Sequence, residues 1–229
     1  MTYAFPPRPQ PTVAITGSDT LFPVNRIYCV GKNYAAHIIE MGSMPARDAV
    51  CFFQKPADAI VTDGRVPYPP GTSNLHYEGE LVMAIGKGGT NIAPANALDH
   101  VFGYALGLDM TRRDLQTAAG RVGHPWDNGK AFDFSAPLSS IMPLTQCGHF
   151  DEGSIKLWVN GELRQDADFN ELIWKNNEII SELSKLYTLK QGDLIFTGTP
   201  AGVGPVVAGD RIVLVIDRLG ELAVQITQG

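Results

Sequence analysis

Two glutamates separated by a single glycine lie in the apolar segment LHYEGELVMAIG, residues 75–86. Alternate side chains of a strand point to the same face, so Glu78 and Glu80 would place two negative charges side by side. Such a pair is unfavourable unless a positive charge lies between the carboxylates. Asp109 follows the glycine-rich apolar segment at 101–108 and would join the pair if the two segments are neighbouring strands. Three carboxylates would favour a hard cation, Mg²⁺, Mn²⁺ or Ca²⁺, over Zn²⁺.

The spacing of these carboxylates leaves a simpler interpretation open. Glu78 and Glu80 could face solvent on an edge strand, while Asp109 only caps the helix that follows it. A Glu-x-Glu pair is a weak signal without a third ligand, so the metal interpretation depends on Asp109 reaching the other two.

An imidazole and a carboxylate stand three residues apart in the segment NYAAHIIEM, residues 33–41, which is predicted to be a short helix. Residues three apart share a helix face, so His37 and Glu40 can touch. A carboxylate beside an imidazole can form a general base that activates water. The alternative is an exposed helix pair without a catalytic role.

Four further polar side chains could hold the oxygens of a substrate. Lys130 lies in the apolar, glycine-containing loop WDNGKAF, where it could bind an anion or a developing oxyanion. Arg113 and Gln116 are neighbours on the helix predicted after Asp109, and Thr199 lies in the glycine-rich loop FTGTPAGVGP. A surface lysine, a solvated helix face and an ordinary turn explain these residues equally well.

Short strands dominate the elements that must position these residues. The chain has 24 glycines and 16 prolines, which favour turns and short strands over a helical bundle. Strands and helices do not alternate one for one, and the pattern therefore predicts a β-rich α+β fold. The predicted strands lie at 12–16, 26–31, 50–62 with a turn inside, 75–86, 101–108, on both sides of the hairpin turn Asn160-Gly161, and at 193–197, 211–217 and 221–226; the predicted helices lie at 33–41 with Asn33 as cap, from Asp109 or Thr111 to about 120, and at 170–187, with a loop at 121–133.

Composition limits the classes of partner and compartment. The 229 residues suit one catalytic domain at 12–229, preceded by an extended proline-rich arm at 1–11. The net charge of -6 argues against nucleic acid and anionic membranes as partners. Three cysteines without CxxC spacing predict free thiols, and no segment reads as a signal peptide or a membrane span. We therefore expect a cytoplasmic protein.

Taken together, several segments resemble the fumarylacetoacetate hydrolase family. The matching segments are VGKNYAAHIIEMG, LHYEGEL, GYALGLDMTRRDLQ, PWDNGKAFD, LWVNGELRQ and GDLIFTGTPAGVGP. They occur in the family's order and cover most of residues 26–206, which makes the combined signature specific. The family's fold is a mixed β-sandwich roll with a few short helices, commonly in a homodimer, and this agrees with the many strands expected here.

The resemblance implies a role for each candidate residue. Glu78, Glu80 and Asp109 match the ligands of Mg²⁺ or Mn²⁺, and His37 and Glu40 match the water-activating pair. By the same resemblance, the positions that hold substrate oxygens are Arg113, Gln116, Lys130 and Thr199. The chain departs from many family members at Gly79, where a larger residue often stands between the glutamates.

The resemblance also implies a reaction, metal-dependent hydrolysis of the carbon–carbon bond of a 2,4-dioxo acid. The segment FFQKPADAIV is similar to the corresponding stretch of fumarylpyruvate hydrolases, which indicates cleavage to fumarate and pyruvate during the degradation of aromatic compounds. Three alternatives stay open: decarboxylation of oxaloacetate, isomerisation or hydration of a dienoic acid, and metal-dependent binding of keto acids without catalysis.

Overall fold

The computed structural model describes residues 2–229 and consists mainly of strands. Met1, the first residue of the predicted arm, lies outside the described residues, and residues 2–11 form no helix or strand. The strands are β1 (Thr12–Ala14), β2 (Leu21–Pro23), β3 (Ile27–Gly31), β4 (Cys51–Lys55), β5 (Ile60–Val61), β6 (Arg65–Pro67), β7 (Leu75–Tyr77), β8 (Gly79–Ile85), β9 (Val101–Leu108), β10 (Thr111–Arg112), β11 (Ala136–Pro137), β12 (Met142–Pro143), β13 (Ser154–Val159), β14 (Glu162–Asp168), β15 (Leu194–Phe196), β16 (Gly204–Val206), β17 (Arg211–Ile216) and β18 (Gly220–Thr227).

The helices are few and short, so the predicted β-rich α+β class is confirmed. The α-helices are α1 (Ala35–Glu40), α2 (Arg113–Arg121), α3 (Asp127–Lys130), α4 (Leu144–Cys147) and α5 (Asn176–Leu186), and 3-10 turns cover Ala57–Ala59, Pro94–His100 and Phe169–Glu171. In residues 2–229 no helix is long and apolar enough to cross a lipid bilayer.

Two sheets build the core. One has six strands in the order β12-β9-β8-β15-β3-β4, and the other has five in the order β14-β13-β17-β18-β6. Most neighbouring strands are antiparallel, but β15 pairs parallel with β3, and β18 with β6. Three small sheets of two or three strands, β1-β2, β10-β7-β16 and β11-β5, complete the fold.

The six-stranded sheet is covered on both faces, which explains its nearly continuous apolar strands. Every residue of β8 is buried, and its apolar side chains alternate between two hydrophobic clusters, one on each face of the sheet. Leu81 and Met83 pack in the larger cluster, together with Leu157 and Leu214 of the five-stranded sheet. Val82 packs in the second cluster on the opposite face. Glu80 has the same parity as Val82, so its side chain points away from the five-stranded sheet.

The predicted single strand at 75–86 is wrong in one respect, because it is two strands. β7 joins the small sheet with β10 and β16, while β8 joins the six-stranded sheet. Glu78 is the junction between them and belongs to neither strand. The break allows the chain to change sheets at the first of the two glutamates.

Three predicted helices and one predicted loop are also corrected. Neither Asp109 nor Thr111 caps α2, whose cap position is Arg112, because Thr111 lies in strand β10. Asn33 does not cap α1, whose cap position is Tyr34; its amide instead binds the backbone of Thr197 and Trp174. The segment 170–187 begins with a 3-10 turn and becomes α5 only at Asn176. The predicted loop at 121–133 contains the short helix α3. These local departures follow from tertiary contacts that propensity does not include.

The hairpin predicted at Asn160-Gly161 is confirmed. Both residues have positive φ, 52° and 83°, and they connect β13 to β14. This is the backbone conformation that a type I′ turn requires.

Close contact between β9 and its neighbours requires a glycine at position 107, and this gives a prediction. A Cβ atom added there would lie 2.5 Å from Phe196 Cε1 and 2.6 Å from Val82 Cγ2. We expect Gly107→Ala to lower the free energy of unfolding by about 1–3 kcal/mol through overpacking, measured by urea denaturation.

Gly120→Ala provides the control, because Gly120 lies in α2 and the added Cβ would meet only Trp126 Nε1 at 3.7 Å. Alanine has a higher helix propensity than glycine. The free energy of unfolding of this variant should therefore equal that of the wild type or exceed it by up to about 1 kcal/mol. Equal stability of the two variants would contradict the packing described for β9.

Candidate metal and substrate site

The pairing of β8 with β9 brings three carboxylates together. Gly79 lies opposite Leu108, and the Asp109 N–H donates to Glu78 O at 2.8 Å. Glu78 and Asp109 are therefore opposite one another, and Glu80 projects from the same face. One oxygen from each carboxylate lies within 4.8 Å of the others, and all three residues are buried. We call Glu78, Glu80 and Asp109 the acidic cluster.

Two buried lysines pair with one side of the acidic cluster. Lys130 Nζ donates to Glu78 Oε2, Asp109 Oδ2 and Thr111 Oγ1, each at 2.7 Å. Lys55 Nζ lies 2.8 Å from Asp109 Oδ1. Burial alone would lower the pKa of Lys130, but the Asp109 and Glu78 carboxylates outweigh burial and raise it. Lys130 is therefore a fixed positive charge, and all three of its N–H groups are engaged.

Arg113 connects the acidic cluster to α2. Its guanidinium donates to Glu78 Oε1 and, through a second nitrogen, to Gln116 Oε1. Burial would raise the pKa of Glu78, but the charges of Lys130 and Arg113 hold it far below its ordinary value. Because Gln116 Oε1 accepts from Arg113, the amide N–H₂ group of Gln116 remains available as a donor. His76 adds no charge here, since burial and then Arg113 lower its pKa to about 4.

Glu80 differs from the other two members because no cationic side chain within residues 2–229 pairs with it. Its one hydrogen bond comes from the Gly198 N–H at 2.7 Å. Burial, and then the charges of Asp109 and Glu78, raise its pKa well above the ordinary value. A divalent cation between the three carboxylates would supply the missing positive charge. The oxygen-only donor set and the uncompensated Glu80 both fit Mg²⁺ or Mn²⁺.

His37 and Glu40 form the contact that their spacing predicts. His37 Nδ1 lies 3.0 Å from Glu40 Oε2, and the Gly202 N–H donates to Glu40 Oε1 at 2.9 Å. Glu40 thus holds the imidazole and also ties α1 to the loop after β15. With Nδ1 occupied, Nε2 is the ring nitrogen left to accept a proton.

The short helix α3 is pressed against α2, which positions Lys130. A Cβ atom at Gly129 would lie 2.8 Å from both the backbone N and the Cβ of Gln116. Only glycine allows this approach, and the next residue then buries its ammonium beside Thr111. Lys130 was predicted to lie in a loop, and this packing is not apparent from the sequence.

A buried glutamine, not among the predicted site residues, links the acidic cluster to the loop that carries Thr199. Gln165 Oε1 accepts from the Gly79 N–H at 3.0 Å, and Nε2 donates to Thr199 Oγ1 and Pro200 O, each at 2.8 Å. A Cβ atom at Gly79 would lie 2.8 Å from Leu214 and 3.1 Å from Gln165 Oε1. Glycine between the two glutamates is therefore a packing requirement of this chain.

Lys55 and Gln165 were not among the predicted site residues, for different reasons. Lys55 was overlooked because it stands in an apolar strand far from the acidic residues in sequence, although a lysine inside such a segment is itself a signal of a buried charge partner. Gln165 stands in the polar strand β14, where nothing in the pattern separates it from solvent-facing neighbours.

A cavity of about 390 Å³ opens onto the acidic cluster. Glu40 and Asp109 do not line this cavity themselves. Glu40 contacts His37 and Asp109 contacts Lys130, and both of these partners line it. The structure thus gathers the predicted site residues around one space, and seven of them line it: His37, Glu78, Glu80, Arg113, Gln116, Lys130 and Thr199.

Comparison with known proteins places this site in context. The profile described as "Fumarylacetoacetate (FAA) hydrolase C-terminal" matches residues 26–227. The fumarylpyruvate hydrolase of Ralstonia sp is 46% identical over 178 residues, which cover 78% of this chain and 92% of that protein. The mitochondrial oxaloacetate tautomerase FAHD1 of Bos taurus is 45% identical over 189 residues, covering 81% and 84% respectively.

A solved structure is similar over the whole length of both chains. The crystal structure of fumarylpyruvate hydrolase from Pseudomonas aeruginosa in complex with Mn²⁺ and pyruvate is 50% identical, covers 100% of each chain and has a TM-score of 0.97. The relatives named here are enzymes, but hydrolase and tautomerase names occur at nearly equal identity.

The uncompensated charge of Glu80 predicts how metal affects stability. At a metal concentration of 100 times Kd, binding should add about 2.7 kcal/mol, which raises Tm by roughly 5–10 °C. We expect Glu80→Gln to lose most of this gain, while its Tm in EDTA is no lower than that of the wild type. Glutamine keeps an oxygen acceptor for the Gly198 N–H and has no charged form beside Asp109 and Glu78.

Differential scanning calorimetry with Mn²⁺ and with EDTA measures both effects. Glu221→Gln, at an exposed glutamate outside the cavity, is the matched control and should behave as the wild type. An undiminished metal-dependent gain in Glu80→Gln would exclude Glu80 as a ligand.

The hydrogen bonds made by Gln165 predict that its replacement lowers the stability of the protein. Gln165→Leu leaves the buried Gly79 N–H and Pro200 O without partners, which should lower the free energy of unfolding by about 2–4 kcal/mol. Urea denaturation measures this loss, and Gln146→Leu, at an exposed glutamine, should change it by less than about 0.5 kcal/mol. Equal stability of the two variants would contradict the proposed linkage.

Proposed function

The chain belongs to the fumarylacetoacetate hydrolase family, and on this basis we propose that it hydrolyses the carbon–carbon bond of an acylpyruvate, with fumarylpyruvate as its substrate. The observation that carries the proposal is the position of the His37–Glu40 pair, which reaches the same cavity as the acidic cluster. A metal site alone would suit a binding protein, whereas an oriented imidazole beside it supports proton transfer.

The acidic cluster would hold Mg²⁺ or Mn²⁺, which supplies Lewis-acid stabilisation for the 2-oxo acid end of the substrate. When a bound cation keeps Glu80 ionised, the three carboxylates equal in number the buried cations Lys55, Lys130 and Arg113, which pair with Glu78 and Asp109. A divalent ion therefore adds a net positive charge, and an anionic substrate complements it.

Water activation falls to His37. With its Nδ1–H donated to Glu40, neutral His37 presents the Nε2 lone pair to a water in the cavity. As the water oxygen bonds to C4 of the substrate, Nε2 takes its proton. The amide N–H₂ of Gln116 is a donor available to the oxyanion that forms at C4, and the loss of one such donor typically costs ~10²–10³ in rate.

Bond cleavage then needs no further reactant. The C4 oxyanion collapses, the C3–C4 bond breaks, and its electron pair passes into the enolate of pyruvate. His37 returns its proton to C3, so the products are a carboxylic acid and pyruvate. For fumarylpyruvate the acid is fumarate. The homodimer predicted from the family resemblance remains part of this proposal, but the chemical steps described above do not depend on it.

Oxaloacetate tautomerisation is the second candidate, and the similarity to the Bos taurus enzyme supports it. That reaction moves a proton between C3 and the C2 oxygen and requires no attacking water. The same His37 could carry the proton, so the two functions differ in whether water reaches the cavity with the substrate bound.

Activity on three substrates tests the proposal. We expect metal-dependent loss of the diketo-enol absorbance of fumarylpyruvate, abolished by EDTA and much faster than loss for acetylpyruvate. Enol–keto exchange and decarboxylation of oxaloacetate are followed in parallel. Turnover of oxaloacetate without cleavage of either acylpyruvate would overturn the hydrolase assignment.

Glu40→Gln separates hydrolysis from binding. The variant retains the size of Glu40 but not the charge that stabilises a protonated His37, so hydrolysis should fall by about 10²–10⁴. Affinity for Mn²⁺ and for oxalate, measured by calorimetry, should stay close to the wild-type value. Undiminished hydrolysis would show that Glu40 is not part of the base.

A further inference from the structure

Two cationic side chains line the cavity without a partner, and the mechanism does not use them. Arg113 and Lys130 are paired with Glu78, but Lys32 and Arg121 form no side-chain hydrogen bond or ion pair with any residue in 2–229. Lys32 also lines a small neighbouring cavity that includes Asp48, and no ion pair joins them. Unpaired cations on a cavity wall are suited to an anionic group of a ligand.

Arg121 lies at the end of the helix that begins at the acidic cluster. Arg113, Gln116, Thr117, Gly120 and Arg121 all line the cavity. Their spacing of three and four residues places them on one face of α2. This face therefore extends from the metal end of the cavity towards its outer end.

The length of α2 matches an elongated substrate. The eight steps from Arg113 to Arg121 span about 12 Å along the axis. Helical side chains lean towards the helix N-terminus, so the Arg121 side chain, roughly 6 Å long, reaches back towards the metal end. About 6 Å therefore remains along the helix axis between the Arg121 guanidinium and the metal end of the cavity. This is similar to the roughly 6 Å between the 2-oxo group and the far carboxylate of extended fumarylpyruvate.

The middle of the cavity suits a flat apolar linker. Phe53 and Trp126 line it in an edge-to-face pair with ring centroids 5.8 Å apart. Gly120 leaves space beside the indole, since a Cβ atom there would be 3.7 Å from Trp126 Nε1. A conjugated chain between two carboxylates could lie between these surfaces.

Lys32 lines the cavity in an unusual backbone conformation. Its φ of 59° is in the left-handed region, which a lysine rarely adopts. The neighbouring Asn33 is anchored to Thr197 O and to both backbone groups of Trp174, and these bonds maintain the conformation. Such retained strain is typical of functional sites.

We propose that Arg121, assisted by Lys32, binds the second carboxylate of a dicarboxylic acylpyruvate at the end of the cavity farther from the acidic cluster. This inference rests on the proposed acylpyruvate hydrolysis and assigns its specificity. Acetylpyruvate lacks the second carboxylate, and that of oxaloacetate lies too near the 2-oxo group to reach Arg121.

Steady-state kinetics of Arg121→Met on fumarylpyruvate and acetylpyruvate tests the assignment. We expect the ratio of kcat/KM for fumarylpyruvate over acetylpyruvate to fall by about 10- to 100-fold, mainly through KM for fumarylpyruvate. Arg121→Lys should recover part of this ratio, and Lys32→Met should reduce it less than Arg121→Met. Fumarate should become a weaker inhibitor, while inhibition by oxalate is retained.

Arg211→Met removes an exposed arginine outside the cavity and should leave the ratio unchanged. A ratio unchanged in Arg121→Met, or an equal loss on both substrates, would overturn the proposal. If the wild type cleaves neither acylpyruvate, the hydrolase function fails; calorimetric binding of the two substrates to wild type and Arg121→Met then decides the role of Arg121 separately.

Discussion

The burial of three carboxylates on one face of two paired strands is the constraint on which this structure depends. Their oxygens lie within 4.8 Å of one another, where each pair of ionised carboxylates would cost about 3.5–4 kcal/mol at an effective dielectric constant near 20. Lys55, Lys130 and Arg113 offset the repulsion around Glu78 and Asp109. Glu80 is left to a single backbone N–H, so it is the one carboxylate of the cluster without a cationic partner in residues 2–229.

Several elements are tied to this cluster by specific bonds. The side chain of Asn33 fixes the backbone just before α1 by binding Thr197 O, and Glu40 connects the end of α1 to Gly202. Gln165 connects the strand behind the cluster to the loop that carries Thr199. The hydrogen bonds of Asn33 and Gln165 are buried and that of Glu40 is exposed, but all of them join segments far apart in sequence. Such links restrict the side chains around the cavity to a narrow set of positions, as preorganised sites require.

The distribution of charge also organises the cavity from one end to the other. Paired cations surround the acidic cluster, an aromatic pair forms the middle, and unpaired cations stand at the outer end. Anionic, apolar and anionic parts of a ligand would meet complementary surfaces in that order. In the proposed function, this arrangement would relate the acylpyruvate chemistry at the cluster to the choice of acyl group at Arg121.

The sequence by itself determined the fold class, the family and seven of the side chains that line the cavity. Period-two apolar segments and turn residues such as Asn160-Gly161 are local signals, and the Glu78–Glu80 spacing places both carboxylates on one face whatever the partner strands are. His37 and Glu40 likewise depend only on helical spacing. Only the tertiary structure decided that Asp109 lies opposite Glu78, that Lys55 and Gln165 belong to the site, and that Asn33 anchors a loop instead of capping a helix. These contacts join residues far apart in the chain, and strand pairing and side-chain packing select them in ways that no local pattern records.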